Sequence, residues 1–360
     1  MKISVIAASD LDLSLQATWR TLQSSNPVLQ SPYFAPEFTL AVAGVRPDVR
    51  IAVLEDGARV VGFFAHQARW GMGWPVGGIL SDHHGVVCAS GTCWDWRTLL
   101  RAAGLASWRF DHLPHEQAPA GAILATARSP GLDLSQGFEA YQAARRARSR
   151  RLSDLDRKAR KLARELGPLR FTAHTTDPRI FEAVIRLKSQ QCQRTGATDF
   201  FARDWTRALT ERICAIEQPD FGGRLSALYA GDTLVGAHLG MRSRRVWHWW
   251  FPVYEHEAGA YSPGALLLLR VAQAAADQGH DLLDLGKGND AYKKSFADDG
   301  LPLAEGWIHR HALSTAWLST YAAARRWAKT ARLTQPLRRG IKRARHLVAS
   351  HPALRSGPGP

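Results

Sequence analysis

Asp284-Leu285-Gly286-Lys287-Gly288-Asn289-Asp290, continued by Ala291-Tyr292-Lys293-Lys294-Ser295-Phe296, is the stretch on which the reading of this chain turns. An amphipathic run, Ala265 to Gly279, and a short apolar run, Leu282 to Leu285, come before it. The spacing therefore predicts a strand end leaving a helix-covered sheet, the place where open α/β sheets bind ligands. Gly286 and Gly288 permit a tight backbone, and Tyr292, Lys293 and Lys294 add a phenol and two cations within one turn. Such a loop suits an anionic group or a developing oxyanion. The plain alternative is a glycine turn with solvated lysines, because a glycine-rich loop alone is a weak signal.

Upstream, Tyr261-Ser262-Pro263-Gly264-Ala265 reads as a helix start. Ser262 suits the N-cap and Pro263 the first helical position, while Gly264 lets a ligand reach the N–H groups at Ala265 and beyond. A helix start of this kind is a seat for phosphate.

Taken together, Tyr-Ser-Pro-Gly, the apolar helix, Gly279, Asp-Leu-Gly-Lys-Gly-Asn-Asp and Tyr-Lys-Lys-x-Phe resemble the closing segment of the acetyltransferase-like family related to GNAT and Fem-type transferases. Within it, the pattern is most similar to the CelD-type proteins linked to bacterial cellulose and exopolysaccharide synthesis. The resemblance spans residues 30 to 310 and is most specific over 225 to 296. It implies an α/β (α+β) fold of tandem GNAT-like domains, each a mixed, mostly antiparallel sheet with flanking helices. It also implies direct attack of an amine or hydroxyl on an activated acyl group. On that pattern Lys293 is the oxyanion cation and Tyr292 the proton donor to the leaving group. The donor, acyl-CoA with acetyl-CoA foremost, would be held by Ser262, Gly264, Ala265, Gly286 and Gly288, without a metal. In one respect the chain departs from ordinary GNAT enzymes: Ala258-Gly-Ala-Tyr-Ser-Pro-Gly-Ala stands where they carry an Arg/Gln-x-x-Gly-x-Gly/Ala loop. That departure leaves a Fem-like transferase using aminoacyl-tRNA as the alternative.

The segment Val246-Trp247-His248-Trp249-Trp250-Phe251-Pro252-Val253-Tyr254 reads as a strand with Trp247 and Trp249 on one face and His248 and Trp250 on the other. Such rings are either core packing or a stacking surface for sugar, here assigned to Trp249. His248 is the candidate base, since imidazole titrates near neutrality, and His238 lies on the neighbouring strand. Either histidine can equally serve a structural hydrogen bond. Asp284 suits a loop-ordering carboxylate. With Asp290, Trp249, His238 and Lys294 it completes the expected substrate side.

Leu54 to Gly62 aligns with Leu228 to Gly236 at an offset of 174 positions, each copy reading strand, glycine turn, strand. A shift near half the chain predicts a duplicated domain. The expected division is an N-terminal GNAT-like domain over 1–137, a basic helical connector over 138–168, a C-terminal GNAT-like domain with the active site over 169–312, and a basic amphipathic tail over 313–360. The first copy carries Gly77 to Gly85, with Asp82, His83 and His84 adjacent. Three consecutive residues do not converge on one metal, and none is expected there.

The formal net charge of +15 is not spread evenly. Residues 1–138 hold 10 basic and 11 acidic side chains, and 169–310 hold 17 of each; the connector has 10 against 4, and 311–360 has 10 against none. Charge therefore points to two segments, not to a nucleic-acid-binding body. The connector reads as one long helix from Phe138 to Leu166. The tail, with Trp317, Tyr321 and Trp327 among its cations, suits an anionic membrane surface, or a solvated tail. Residues 1–20 lack a signal-peptide core, and no window reaches the length of an apolar membrane span, so the expected location is cytoplasmic, with the tail on the inner membrane. The expected function is acyl transfer, N- or O-linked, to a cell-surface polysaccharide or its sugar-containing precursor. A non-catalytic accessory protein of a polysaccharide synthase is the reading from another class, and tRNA is a partner only under the Fem-like alternative.

Overall fold

The computed structural model describes residues 1–288 and 290–310; the expected basic tail falls outside them. The first part of the chain runs β1 (Lys2–Ala7), α1 (Leu13–Ser24), α2 (Pro36–Ala43), β2 (Val49–Asp56), β3 (Arg59–Arg69), β4 (Met72–Trp74), β5 (Val87–Cys88), α3 (Trp96–Ala102), β6 (Ser107–Pro114) and β7 (Ile123–Asp133). Two helices follow, α4 (Phe138–Arg148) and α5 (Arg151–Leu166). The rest runs β8 (Leu169–Thr172), α6 (Pro178–Thr195), α7 (Asp204–Cys214), β9 (Glu217–Gln218), β10 (Phe221–Ala230), β11 (Thr233–Ser243), β12 (Val246–Tyr254), α8 (Pro263–Asp277), β13 (Leu282–Asp284), α9 (Ala291–Phe296) and β14 (Asp298–His309).

All the described strands belong to one sheet, ordered β1-β2-β3-β4-β6-β14-β7-β13-β12-β11-β10-β8, with β5 beside β3 and β9 beside β10. It is mostly antiparallel; the parallel pairs are β4 with β6 and β12 with β13. The mixed, mostly antiparallel α/β fold expected from the sequence is present. The internal repeat is visible in the register. In the β2–β3 hairpin Asp56 faces Arg59 and the ladder slips between Leu54 and Glu55; in β10–β11 Ala230 faces Thr233 and the slip falls between Leu228 and Tyr229. Both turns place a glycine at positive φ, Gly57 at 61° and Gly231 at 56°, a conformation that costs glycine nothing. Three pairings then join the copies: β13 lies antiparallel to β7, and β14 crosses back to insert between β6 and β7.

Helices cover both faces of the sheet. On one side α1, α2, α6 and α7 bury Trp19, Phe38, Val184 and Leu209 against Phe63, Leu239, Trp250 and Phe251. On the other, α4, α5 and α8 bury Tyr141, Leu152, Leu162 and Leu267 against Trp247, Trp249 and Leu283. Each such large apolar side chain contributes about 1.5–3 kcal/mol relative to exposure.

The connector differs from the single helix expected. It breaks at Ser149, whose backbone is extended (φ −159°, ψ 145°) and whose hydroxyl accepts from Arg151 N at 3.1 Å. Serine competes for backbone donors in this way and ends helices where a periodic apolar pattern continues. After the break Leu152, Leu155 and Leu162 face the core and the basic residues face outward.

Candidate active site

Strand β12 pairs with β13 only over Val246–His248 and Leu282–Asp284. Beyond that point β12 continues to Tyr254, whereas the chain after β13 turns away at Leu285, whose N–H donates to Pro130 O at 2.9 Å, and at Gly286, φ 71°. The sheet is thereby forked. On the other edge of β12, Leu239 faces Phe251 and Met241 faces His248, so Trp249 and Trp250 together lie opposite Gly240. This is a β-bulge, which re-aims backbone amides. A Cβ on Gly240 would meet His248 O at 2.4 Å, so the bulge needs glycine opposite it. The bulge also resets the face alternation: Trp247 and Trp249 lie on the α8 side, as expected, while Trp250 and Phe251 both lie on the α6 side.

A cavity of about 590 Å³ occupies the fork. Its lining comes from both faces, with Lys188 and Gln191 from α6 and Ser262, Gly264 and Ala265 from the start of α8. Trp249, Gly286, Asp290, Tyr292 and Lys293 also line it, so most of the residues expected from the sequence are brought together. Gly288 and Lys294 instead line a second cavity of about 760 Å³ across the loop, and Lys293 borders both.

Several side chains behave differently from expectation. Ser262 precedes α8 but does not cap it through its side chain; it sits at φ 58°, and its hydroxyl accepts from Lys158 of α5 at 2.7 Å. Lys293 is not a solvated lysine. It is only 6% exposed, and its ammonium donates to the carbonyls of Gly286 (3.0 Å) and Lys287 (3.2 Å). Burial pulls its pKa down, against the charges of Asp290, Asp82 and Asp284. The Tyr292 phenol is pushed up to about 12, first by burial and then by Asp290, so it holds its proton at neutral pH. His238 does not face the cavity. It is fully buried and stacked on Trp249 at 4.2 Å, and burial drives its pKa well below the usual value.

Behind the fork lies a buried chain of charges. His248 has no exposed surface; Nε2 is 3.0 Å from Asp82 Oδ2 and Nδ1 is 3.2 Å from Asp284 Oδ2. Burial alone would lower its pKa, but hydrogen bonds and charge from Asp284 and Asp82 reverse that and raise it to about 9. At neutral pH it is an imidazolium with both protons committed, which disqualifies it as the expected base. Asp284 Oδ2 also accepts from His83 Nε2 at 2.7 Å, and Oδ1 accepts from Ser129 Oγ (2.6 Å) and Gly286 N (2.9 Å). Burial would raise its pKa, but the charge of His83 and the two imidazole bonds hold it well below the usual carboxylate range. Its loop-ordering role is thus visible in its bonds. Tyr33 packs edge-on against His248 at 5.0 Å.

The adjacent Asp82, His83 and His84 diverge to separate partners. His84 Nε2 accepts from the N–H groups of Asp111 (3.1 Å) and His112 (3.0 Å). Among the described residues two groups, His83–His248–Asp284 and His84–Asp111–His112, place ligand-type atoms within 4.8 Å of one another. The sequence reading missed Asp82 as a member of the site, along with Tyr33, Ser129, Lys158 and Lys188. The only local sign was the polar loop Gly77 to Gly85, in which Asp82 and His83 find their partners 166 and 201 positions away.

The acetyltransferase (GNAT) domain family matches residues 148–294, the segment that contains the fork, the bulge, α8 and the Gly286 loop. The chain is accordingly an enzyme of the GNAT-like acyltransferase class. No curated protein matches it. Among solved structures, it is similar in fold to FemX, at 10% identity over 89% of this chain and 99% of that one, with a TM-score of 0.56. It is likewise similar to the C-terminal domain of a putative lysylphosphatidylglycerol synthetase from Agrobacterium fabrum, at 13% identity over 86% and 96% of the two chains, TM-score 0.52. In both cases the GNAT domain and the first part of the chain are covered together.

Proposed function

We propose that the fork between β12 and β13 transfers an acyl group from acyl-CoA, acetyl-CoA in the first instance, to an amine or hydroxyl of a sugar-containing acceptor. The observation that carries this reading is the fork itself. One cavity is lined at one face by a helix start, at the other by α6, and in the middle by a bulged strand with divergent amides. Donor phosphate would sit at Gly264, at the positive end of the α8 dipole, with Lys158 beside it; the Ala265 N–H is already turned back to Ser262 O at 3.0 Å. The acyl oxygen would face the amides of the bulge, stabilisation of a kind worth about 3 kcal/mol per well-aimed donor. Lys293 would hold the Gly286 loop and add positive charge beneath the oxyanion.

The acceptor nucleophile attacks the acyl carbon and its proton passes to Asp82, the carboxylate on the cavity wall that His248 orients. The departing group carries off the bonding electron pair and takes its proton from Tyr292. Trp249, Trp250, Tyr254 and Tyr292 line the cavity and offer ring faces to sugar. This motivates a polysaccharide or its precursor, as in cellulose or exopolysaccharide synthesis. Among the described residues no helix is long and apolar enough to cross a membrane. The polybasic 311–360 segment would hold the protein against the inner membrane surface.

A second reading, aminoacyl transfer from tRNA, draws on α5, whose basic outer face places Lys158 at the start of α8. Calorimetric titration of the full chain with acetyl-CoA, longer acyl-CoA esters and an aminoacyl-tRNA, each repeated with Gly264→Val, separates the two. Saturable acyl-CoA binding that the variant loses supports the first reading; binding of the tRNA alone replaces it with the second.

A further inference from the structure

Apart from the fork, a pocket of about 330 Å³ lies between strands β3, β4 and β6 and the segment leading into α7. Arg46, Arg109 and Arg203 surround it, and Trp74 and Trp205 form its apolar sides. Arg46 is already engaged, bonded twice to Asp48 at 3.2 and 3.0 Å and set 5.4 Å from the Trp205 ring. Arg109 and Arg203 are exposed and have no carboxylate partner among the described residues; Arg109 meets only the ring of Trp307, at 5.9 Å. Asp111 is the one acid on the lining, and it is spent on His112 Nδ1 at 3.0 Å.

Two uncompensated guanidinium forks in a concavity attract a phosphate-type anion, which they grip bidentately. Tryptophan faces beside them favour a planar ring. The volume is at the small end for ligand pockets, which suits a nucleotide-sized molecule. We infer that this pocket binds a nucleoside diphosphate or a ligand ending in one, with Arg109 and Arg203 on the phosphates and Trp74 against the base. Its inner wall continues into the fork, because Lys287 donates to Asp111 O at 2.6 Å and His112 Nε2 lies 3.6 Å from Asp82. Binding here does not require that the fork catalyse anything, so the two readings stand or fall separately.

Titration of the full chain with CDP, inorganic pyrophosphate and cytidine, followed by calorimetry and tryptophan fluorescence, tests this. CDP should bind more tightly than either fragment, and Arg109→Ala and Arg203→Ala should each weaken it about tenfold, as loss of a charge-assisted bond implies. Trp74→Leu should weaken CDP but leave pyrophosphate unchanged. Lys158→Ala, at the mouth of the fork, should leave CDP binding as in the parent. Absence of saturable CDP binding overturns the assignment, as does indifference to both arginine variants. A loss confined to Lys158→Ala overturns it as well, by placing the nucleotide in the fork.

Discussion

Asp82 and His248, 166 positions apart in sequence, meet at 3.0 Å on the inner wall of the fork, one from each copy of the internal repeat. Asp284 completes the arrangement from the other side of the imidazole at 3.2 Å. Two carboxylates around one buried cation form a network in which no member is dispensable.

His248→Ala should therefore strip Asp82 of its imidazolium and leave Asp284 with His83 alone. Breaking a buried pair in this way costs about 3–5 kcal/mol. His238→Phe makes the contrast: it keeps the stack on Trp249 and removes a ring that burial holds neutral and that has no carboxylate partner among the described residues, so the change should stay within about 1–1.5 kcal/mol. Urea midpoints measure both, and a His248→Ala protein as stable as the parent would refute the network's structural importance.

Stability should fall on both sides of a plateau in pH. His248 titrates near 9 when folded and near the ordinary ~6.5 when unfolded, so its contribution is complete below pH ~6.5 and is lost as pH rises through about 9. His66 and His280, lowered to about 4 chiefly by burial, act in the opposite sense. Their contribution is present above pH ~6.5 and is lost as pH falls toward 4. Thermal melts from pH 5 to 10 should show both limbs, with the alkaline limb absent in His248→Asn.

Lys293→Met should damage both folding and turnover, since it strips the Gly286 and Lys287 carbonyls of a charged donor, a loss of about 2 kcal/mol. Exposed Lys294 makes no such bonds, and Lys294→Ala should change stability by less than about 0.5 kcal/mol. Equal effects of the two substitutions would show that the loop does not depend on the buried ammonium.

Gly286→Ala tests the coupling of the loop to the first half. At φ 71° a side chain is strained, and its Cβ would come within 2.9 Å of Asp82 Oδ2. The cost should be about 1–3 kcal/mol, and the displaced carboxylate should release His248. In the folded variant the imidazole should titrate lower than in the parent by NMR; an unchanged value would mean that Asp82 does not move.

Much of the site was legible because its parts are local. The Gly286 turn, the Tyr-Lys-Lys run and the Pro-Gly helix start each draw on a few consecutive residues, and backbone conformation is decided at that range. The repeat at Gly57 and Gly231 was legible for the same reason, since a two-strand hairpin needs only its own turn and alternation. The burial of Lys293 was not legible, because it depends on the loop carbonyls folding over it. His248 looked like a free base, because nothing near it in sequence reveals two carboxylates at its nitrogens.

By itself, the sequence determined the strand, turn and helix starts, the duplicated hairpin and the concentration of charge in two segments, all properties of short stretches. Only the tertiary structure decided that β14 returns between β6 and β7, that β12 bulges at Trp249 and Trp250, and that Asp82 comes to the fork. Those outcomes depend on pairings between residues far apart in the chain, where packing and buried charge set the state of each group.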